Sequence, residues 1–509
     1  MSLNQSMNIA LGSIRNHQYA LSVVSQNIAN LNVENYHKQR VNFATNEYTS
    51  DCDSVLSTIR GMNGASISSL SNYIDNGKFK NLLNSKSDAD YYNTLANQLS
   101  GLEDISDDLG EGGLNALLNE FFKASGALEQ MPSDISTREQ FVNAAQNVVD
   151  KFGDISAKYD KIKDNSIEEA KTATDNVNKL LEELVEINKA HIKNGGTTTT
   201  QAQINTILEE LSTYIPITTD TNQNGSVNLY INGINVVEGA KQRYSLDLKV
   251  DKDDINNTIS FGLKSIENPD YIITKGVTES LTKGSLKGYV DFLNGENSSF
   301  SNVNSLKASL NSAANAFCTE LNKIQNYDDG KSFAASITTD NDGNLILEKA
   351  TTPFIDTIDG TNDFRADNIK INDDILSNPY KVSAARINLD DFNGSDWTKA
   401  IGNSDNAIEF SALQNKNICS VGDGVNNATL SQFLIHSASK SGGDLNKINS
   451  KAKTYNDIYQ TDANNYANLI GVNLDEELSD MIRYQRAFEA SARVFTTVND
   501  LMGTILSMV

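Results

Sequence analysis

Along the start of the chain the apolar positions keep a strict spacing. Leu3, Met7, Ala10, Ile14, His17, Leu21, Val24, Ile28 and Leu31 follow one another at intervals of four and three, and only His17 is not plainly apolar. A heptad row of this kind predicts a helix that packs along one narrow stripe. The far end carries a matching row. Leu474, Met481, Phe488, Phe495, Met502 and Val509 recur every seven residues, flanked by Leu478, Tyr484, Ala492, Val498, Ile505 and Leu506. Each predicted helix is roughly 45 to 55 Å long at about 1.5 Å per residue. Two amphipathic helices buried in one globular core have the same period, so periodicity alone leaves open what covers the stripes.

Residues 78–130 are helical in pattern, anchored by Leu82, Leu95, Leu99, Leu102, Leu109, Leu114, Leu117, Leu118, Phe121 and Phe122. Pro132-Ser133-Asp134 breaks that run, and a longer one extends from about Ser136 to His191 before Asn194-Gly195-Gly196 and four threonines. A short helix is predicted from Ile204 to Tyr214. From Pro216 the period changes to two. Val227–Ile231 and Ile234–Val237 flank Asn232-Gly233, the preferred pair for a type I′ hairpin turn. Strand-like segments continue at Tyr244–Val250, Thr258–Leu263 and Tyr271–Thr274. Helix is predicted again at Gly284–Leu293 and Ser305–Gln325, a second β-like stretch from Ser336 to Asn388, and helix at Asp405–Gln414 and from Ala428 onward.

The expected fold class is therefore α+β. Terminal heptad helices (1–60 and 466–509) pair as a coiled-coil-like domain. A rod-like helical body takes in 61–215, 280–330 and 402–465. Two β-rich modules, 216–279 and 331–401, are inserted in it. A length of 509 residues agrees with several domains, since single cores rarely grow beyond about 250 to 300 residues.

Charge and chemistry narrow the function. The net charge of −24 excludes a phosphate-binding surface, which needs Lys and Arg clusters, and disfavours anionic lipid. No run of about 18 apolar residues is present to span a membrane. Cys52, Cys318 and Cys419 are far apart and odd in number, so they form neither a CxxC pair nor a disulfide framework. Met1-Ser2-Leu3-Asn4-Gln5 precedes a first basic residue only at Arg15, which predicts no Sec signal and an unprocessed route if the chain is exported. The four histidines (17, 37, 191, 436) are not at metal-ligand spacing. No GxSxG, P-loop or GxGxxG motif is present. Asp251, Asp253 and Asp254 lack the glycine and terminal Glu of a calcium loop and read as a solvated turn. No cofactor, metal site or catalytic residue is expected.

Two motifs go further. Ser25-Gln26-Asn27-Ile28-Ala29-Asn30-Leu31 leads to Tyr36, and Asn27, Ile28, Ala29 and Asn30 with Tyr36 resemble the Asn-Ile-Ala-Asn signature of flagellar axial proteins. That family usually has Gly before the Tyr; Asn35 stands there, and Asn tolerates a left-handed helix cap. Near the other end, Gly471 and Val472, Asn473, Leu474, Asp475, Glu476 and Glu477, then Tyr484-Gln485-Arg486-Ala487-Phe488, resemble the family of the first hook-associated protein. Leu286–Phe292, Ile369–Ala385 and Asp405–Gln414 agree with that likeness, which covers the whole length. The acidic run also has a local reading, with Asn473 as N-cap and Glu476 three residues on as in a capping box.

The resemblance implies a structural subunit and not an enzyme. It implies export through the flagellar type III apparatus and a ring of identical subunits at the hook–filament junction, outside the cell. The implied partners are the hook protein, another hook-associated protein on the filament side and a cytoplasmic export chaperone, with no nucleic acid and no membrane insertion. Both heptad rows then become assembly interfaces, with helices weakly ordered until they pack, because isolated helices of this length are marginal in water. The hook protein or another axial subunit is the alternative within the same system. A secreted enzyme on an axial scaffold is the alternative from another class.

Overall fold

The structure is a computed structural model and describes residues 3–31, 36–47, 62–72, 75–109, 113–251, 258–295, 300–392, 396–421 and 427–508. Val509, Cys52, Asn35, Asp253 and Asp254 lie outside the described residues.

The chain is mostly helical, with its two end helices paired and small antiparallel sheets inserted between. The body is built from helices Asn76–Ser100, Glu103–Leu109, Leu114–Gln130, Ile135–Lys193, Thr198–Tyr214, Ser285–Asn294, Val303–Gln325 and Leu430–Ile470. Local chemistry sets their ends. Asp75 accepts from Gly77 N and Lys78 N, and Asp134, just after Pro132, accepts from Thr137 N. The 59-residue helix Ile135–Lys193 stops where Gly195 and Gly196 take positive φ. It runs through the whole body, burying Phe141, Phe152, Tyr159, Val177 and Leu184 along one face.

A phenylalanine cluster fills the end of the body away from the chain termini. Phe141 of the long helix sits 5.1 Å from Phe121, 5.5 Å from Phe354 and 5.2 Å from Phe410, ring centre to ring centre. Four separate stretches of sequence thus share one core, and losing such a ring costs about 3 to 5 kcal/mol.

The inserts are tied to the long helix by polar side chains. Asn188 donates to Val227 O and Gly239 O and accepts from Val227 N. Asn178 meets the backbone of Leu246 in the same way. The first insert holds a four-stranded sheet (Thr218–Thr221, Val227–Ile231, Ile234–Glu238, Lys241–Gln242) and a three-stranded one (Tyr244–Val250, Ile259–Ser265, Ile272–Ile273). At its hairpin Asn232 has φ 51° and Gly233 φ 73°, the two positive angles that a type I′ turn requires. The second insert pairs Ser332–Thr339 with Leu345–Lys349 and Ala385–Asn388.

Two features differ from the expectation. A β-ribbon, Gln39–Glu47 with Met62–Asn72, stands where only helix was read. And the helix expected from Ala428 onward is interrupted at Gly471–Asn473, where Gly471 is extended (φ −70°, ψ 164°).

Arg138 fixes the second insert from inside. Its side chain is 1% exposed, with Nε on Pro132 O at 2.7 Å and Nη1 on Val382 O at 2.6 Å and Tyr380 O at 3.2 Å. Burial pulls its pKa down to about 10, which still leaves it charged at neutral pH. Replacing Arg138 with Ala strands these buried carbonyls. The expected outcome is a loss of about 3 kcal/mol or more in urea unfolding monitored by far-UV circular dichroism.

Candidate functional site

The sequence motifs at the two ends of the chain meet in space. Helix Leu3–Ala29 lies against helix Leu474–Ser507, and the ribbon packs across the pair. Ser13 meets Ser491 at 3.2 Å and Asn27 meets Glu477 at 3.0 Å, so the two helices run antiparallel.

Asn27 is the centre of the contact. It is 1% exposed and satisfies every hydrogen-bonding site of its amide. Its Nδ2 donates to Gln39 O (2.9 Å) and to Glu477 Oε2 (3.0 Å). Its Oδ1 accepts from Tyr36 Oη (2.9 Å) and from Gln39 N (3.0 Å). Glu477, also 1% exposed, has its second oxygen 2.9 Å from Lys38 Nζ, and Lys38 reaches Glu476 at 2.9 Å as well. Burial acts to lower the Lys38 pKa, but its two carboxylate partners outweigh that and the net direction is up. Lys38 N also donates to Ile470 O at 2.7 Å. One amide, one buried carboxylate and one lysine thus tie together both terminal helices and the approach to the ribbon.

The acidic run has a different use from the capping box expected of it. Asn473 does cap the helix, accepting from Asp475 N at 3.0 Å. Glu476, however, turns to Lys38, and Glu477 turns inward to Asn27. Val472 is half-buried in the connection.

The deepest stripe is not the row of large aliphatics. In the first helix Ala10, Ala20, Val23, Val24 and Asn27 are buried. Leu3, Met7, Ile14, His17, Leu21 and Ile28 are half-buried, and Leu31 is exposed. In the last helix the inward row is Glu477, Tyr484, Ser491 and Val498, of which Glu477 and Val498 are fully buried. Met481, Phe488, Phe495 and Met502 are half-buried beside it, while Leu474 and Leu478 are exposed. Small and polar side chains let the helices approach closely, and the large apolar ones flank the contact. Ala20, Val23 and the Ser13–Ser491 pair were not singled out from the sequence. Of the signature residues, Asn27 and Tyr36 bond to each other, Asn30 folds back onto Gln26 O, Ile28 is half-buried and Ala29 is exposed.

His17 packs against the rings of Phe43 and Tyr484, 6.2 Å from each. Its Nδ1 is buried without a hydrogen-bond partner, as is that of His37. Burial lowers the pKa of both. The unfolded chain therefore takes up protons first as pH falls below about 6.5, and the folded pairing loses stability over that range.

Two results are expected. First, N27A leaves the Glu477 carboxylate, the Gln39 backbone and the Tyr36 hydroxyl short of a partner. A double-mutant cycle of N27A with E477A on unfolding of the terminal pair gives a coupling of about 1 to 3 kcal/mol. Second, the terminal pair unfolds at lower temperature at pH 5 than at pH 7, and H17L reduces that difference; an unchanged pH dependence removes His17 as a contributor.

Comparisons with known proteins agree with one another. The model of the flagellar hook-associated protein FlgK helical domain matches residues 99–331. That of the flagellar basal body rod FlgEFG protein C-terminal region matches residues 463–508. Flagellar hook-associated protein 1 of Bacillus subtilis is 23% identical over 520 residues, covering 96% of this chain and 95% of the relative. The protein of the same name from Salmonella typhimurium is 21% identical over 574 residues, covering 99% and 100%. The solved structure of the flagellar hook junction protein FlgK from Burkholderia pseudomallei shares the fold, with a TM-score of 0.58 and 12% identity over 75% of this chain and 98% of that one.

Proposed function

Because this chain belongs to the flagellar hook-associated protein 1 family, we propose that its paired terminal helices are the device by which copies join one another and the adjoining axial proteins. It is a structural subunit of the hook–filament junction of the bacterial flagellum, outside the cell, and not an enzyme. No helix among the described residues is long and apolar enough to cross a membrane.

One observation carries the proposal. The terminal pair closes on small, polar and valine side chains (Ala20, Val23, Val24, Asn27, Glu477, Val498), while larger apolar side chains stay partly or well exposed on its flanks. Leu474, Leu478, Ile482, Val494, Leu501 and Ile505 are each 42–52% exposed along the last helix. Exposed apolar side chains on the flanks of an otherwise paired helix support reading those flanks as interaction faces. In the assembled junction the rows that begin at Leu3 and Leu474 pack against neighbouring copies in a ring. The same faces meet the hook protein on one side and another hook-associated protein on the filament side. A cytoplasmic chaperone covers them before export.

Charge supports the division of labour. The first fifty residues hold Arg15, Lys38 and Arg40 against Glu34 and Glu47, so the whole of the −24 belongs to the rest of the chain. Bodies that repel one another stay apart in solution, and the nearly neutral first helix can approach a neighbour.

Two measurements test this. L478D and I482D touch exposed positions, so the unfolding free energy of the body stays within about 0.5 kcal/mol. The cells carry hooks without filaments and release flagellin to the medium; normal swimming refutes the assignment. Polar replacement of Leu21 or Phe488 has the same effect on assembly. In the free monomer, amide exchange at residues 3–29 and 474–507 is faster than in the Phe141 core, because these helices lack their neighbours. Equal protection of the two regions contradicts coupled folding and assembly.

A further inference from the structure

The helical body is a bundle of columns that stay in register over most of its length. Helix Asn76–Ser100 runs antiparallel to Leu430–Ile470. Tyr92 stacks on Tyr455 with ring centres 4.7 Å apart, and Asn93 and Asn456 exchange amide hydrogen bonds at 3.1 and 2.8 Å. The same register continues beyond Ser100, where Ser431 Oγ donates to Asn115 Oδ1 at 2.5 Å. By this register Gly101, where the first column stops before restarting at Glu103, lies within about one turn of Gly442–Gly443 in the second.

Nothing in the packing calls for those glycines. A Cβ placed on Gly442 or on Gly443 meets no atom within 4 Å, and neither has positive φ. Each weakens a helix roughly fourfold to fivefold relative to alanine. No side chain from Ile435 to Lys440 is buried either, so this stretch has little packing to hold it. A third column breaks at the same level, ending at Asn294 and restarting at Val303. Ile135–Lys193 crosses this level unbroken, as does Leu430–Ile470 with its glycine pair.

Here the contacts also change character. Asp444, 3% exposed, accepts from Ser301 N (2.9 Å) and Ser301 Oγ (2.8 Å). Lys163 of the uninterrupted helix, 4% exposed, donates to Asn304 Oδ1 at 3.2 Å. Such side-chain hydrogen bonds reach between columns and tolerate a change of angle better than interdigitated aliphatics do.

We propose that the body is articulated at this level. Two of its four columns are interrupted within about a turn of one another and a third carries the glycine pair there. The glycine pair and the Asp444–Ser301 bonds form the joint, and the 59-residue helix is the spring that restores the straight form. The joint lets the part bearing the Phe141 cluster tilt against the part that leads to the terminal helices.

Amide exchange on the full chain, wild type and G442A/G443A, tests the joint. In the wild type, residues 436–446 and 97–104 exchange about tenfold faster than 452–466 and 82–96 on the same columns. The double variant slows 436–446 by about tenfold and also slows 97–104, although no substitution was made there. Slowing confined to 436–446 means a helix that frays locally and overturns the proposal. Equal protection of the four segments in the wild type overturns it too. The single variant G443A gives the same pair of readings with half the perturbation.

Discussion

The contact between Asn27 and Glu477 closes the chain on itself across a separation of 450 residues. A buried carboxylate is tolerated only when its charge is compensated, and here Asn27 bonds one oxygen while the Lys38 ammonium lies 2.9 Å from the other. Everything nearby follows from that constraint. The ribbon must start where Gln39 can bond both faces of the Asn27 amide. The last helix must begin after Gly471–Asn473 so that Glu477 points inward, and Ala10, Ala20 and Ser13 must be small enough to let the backbones come together. The large aliphatics are then left on the flanks, which is the arrangement an assembling subunit needs.

Much of the fold was legible because helix and strand periods are local. The long run from Ser136 to His191 emerged as Ile135–Lys193, and Asn232-Gly233 announced its own turn. The ribbon was missed because register shifts break its period of two, so that Val41, Phe43, Ile67 and Leu70 do not read as a regular strand pattern. The start of the last helix was legible in Asn473, which the sequence offers as its N-cap and the structure uses as one.

The site was legible in a different way. Motif recognition picked out Asn27, Tyr36 and Glu477 without saying what they do. Periodicity picked out Ala10 and Val24, which are buried, together with bulkier residues that are only half-buried. Reading hydrophobicity alone favours Leu and Phe over Ala, Ser and Asn, so it rotates the predicted stripe away from the true line of contact. The pairing of Asn27 with Glu477 is a long-range fact that neither local pattern contains.

That separation has a consequence for timing. Whichever end of the chain first reaches the place of assembly, its helix finds no carboxylate or amide to complete the buried cluster until the opposite end arrives. The body, whose core joins residues 79 to 466, can condense meanwhile. Closure of the terminal pair therefore needs both ends of the polypeptide, and a chain cut short before Glu477 cannot form it.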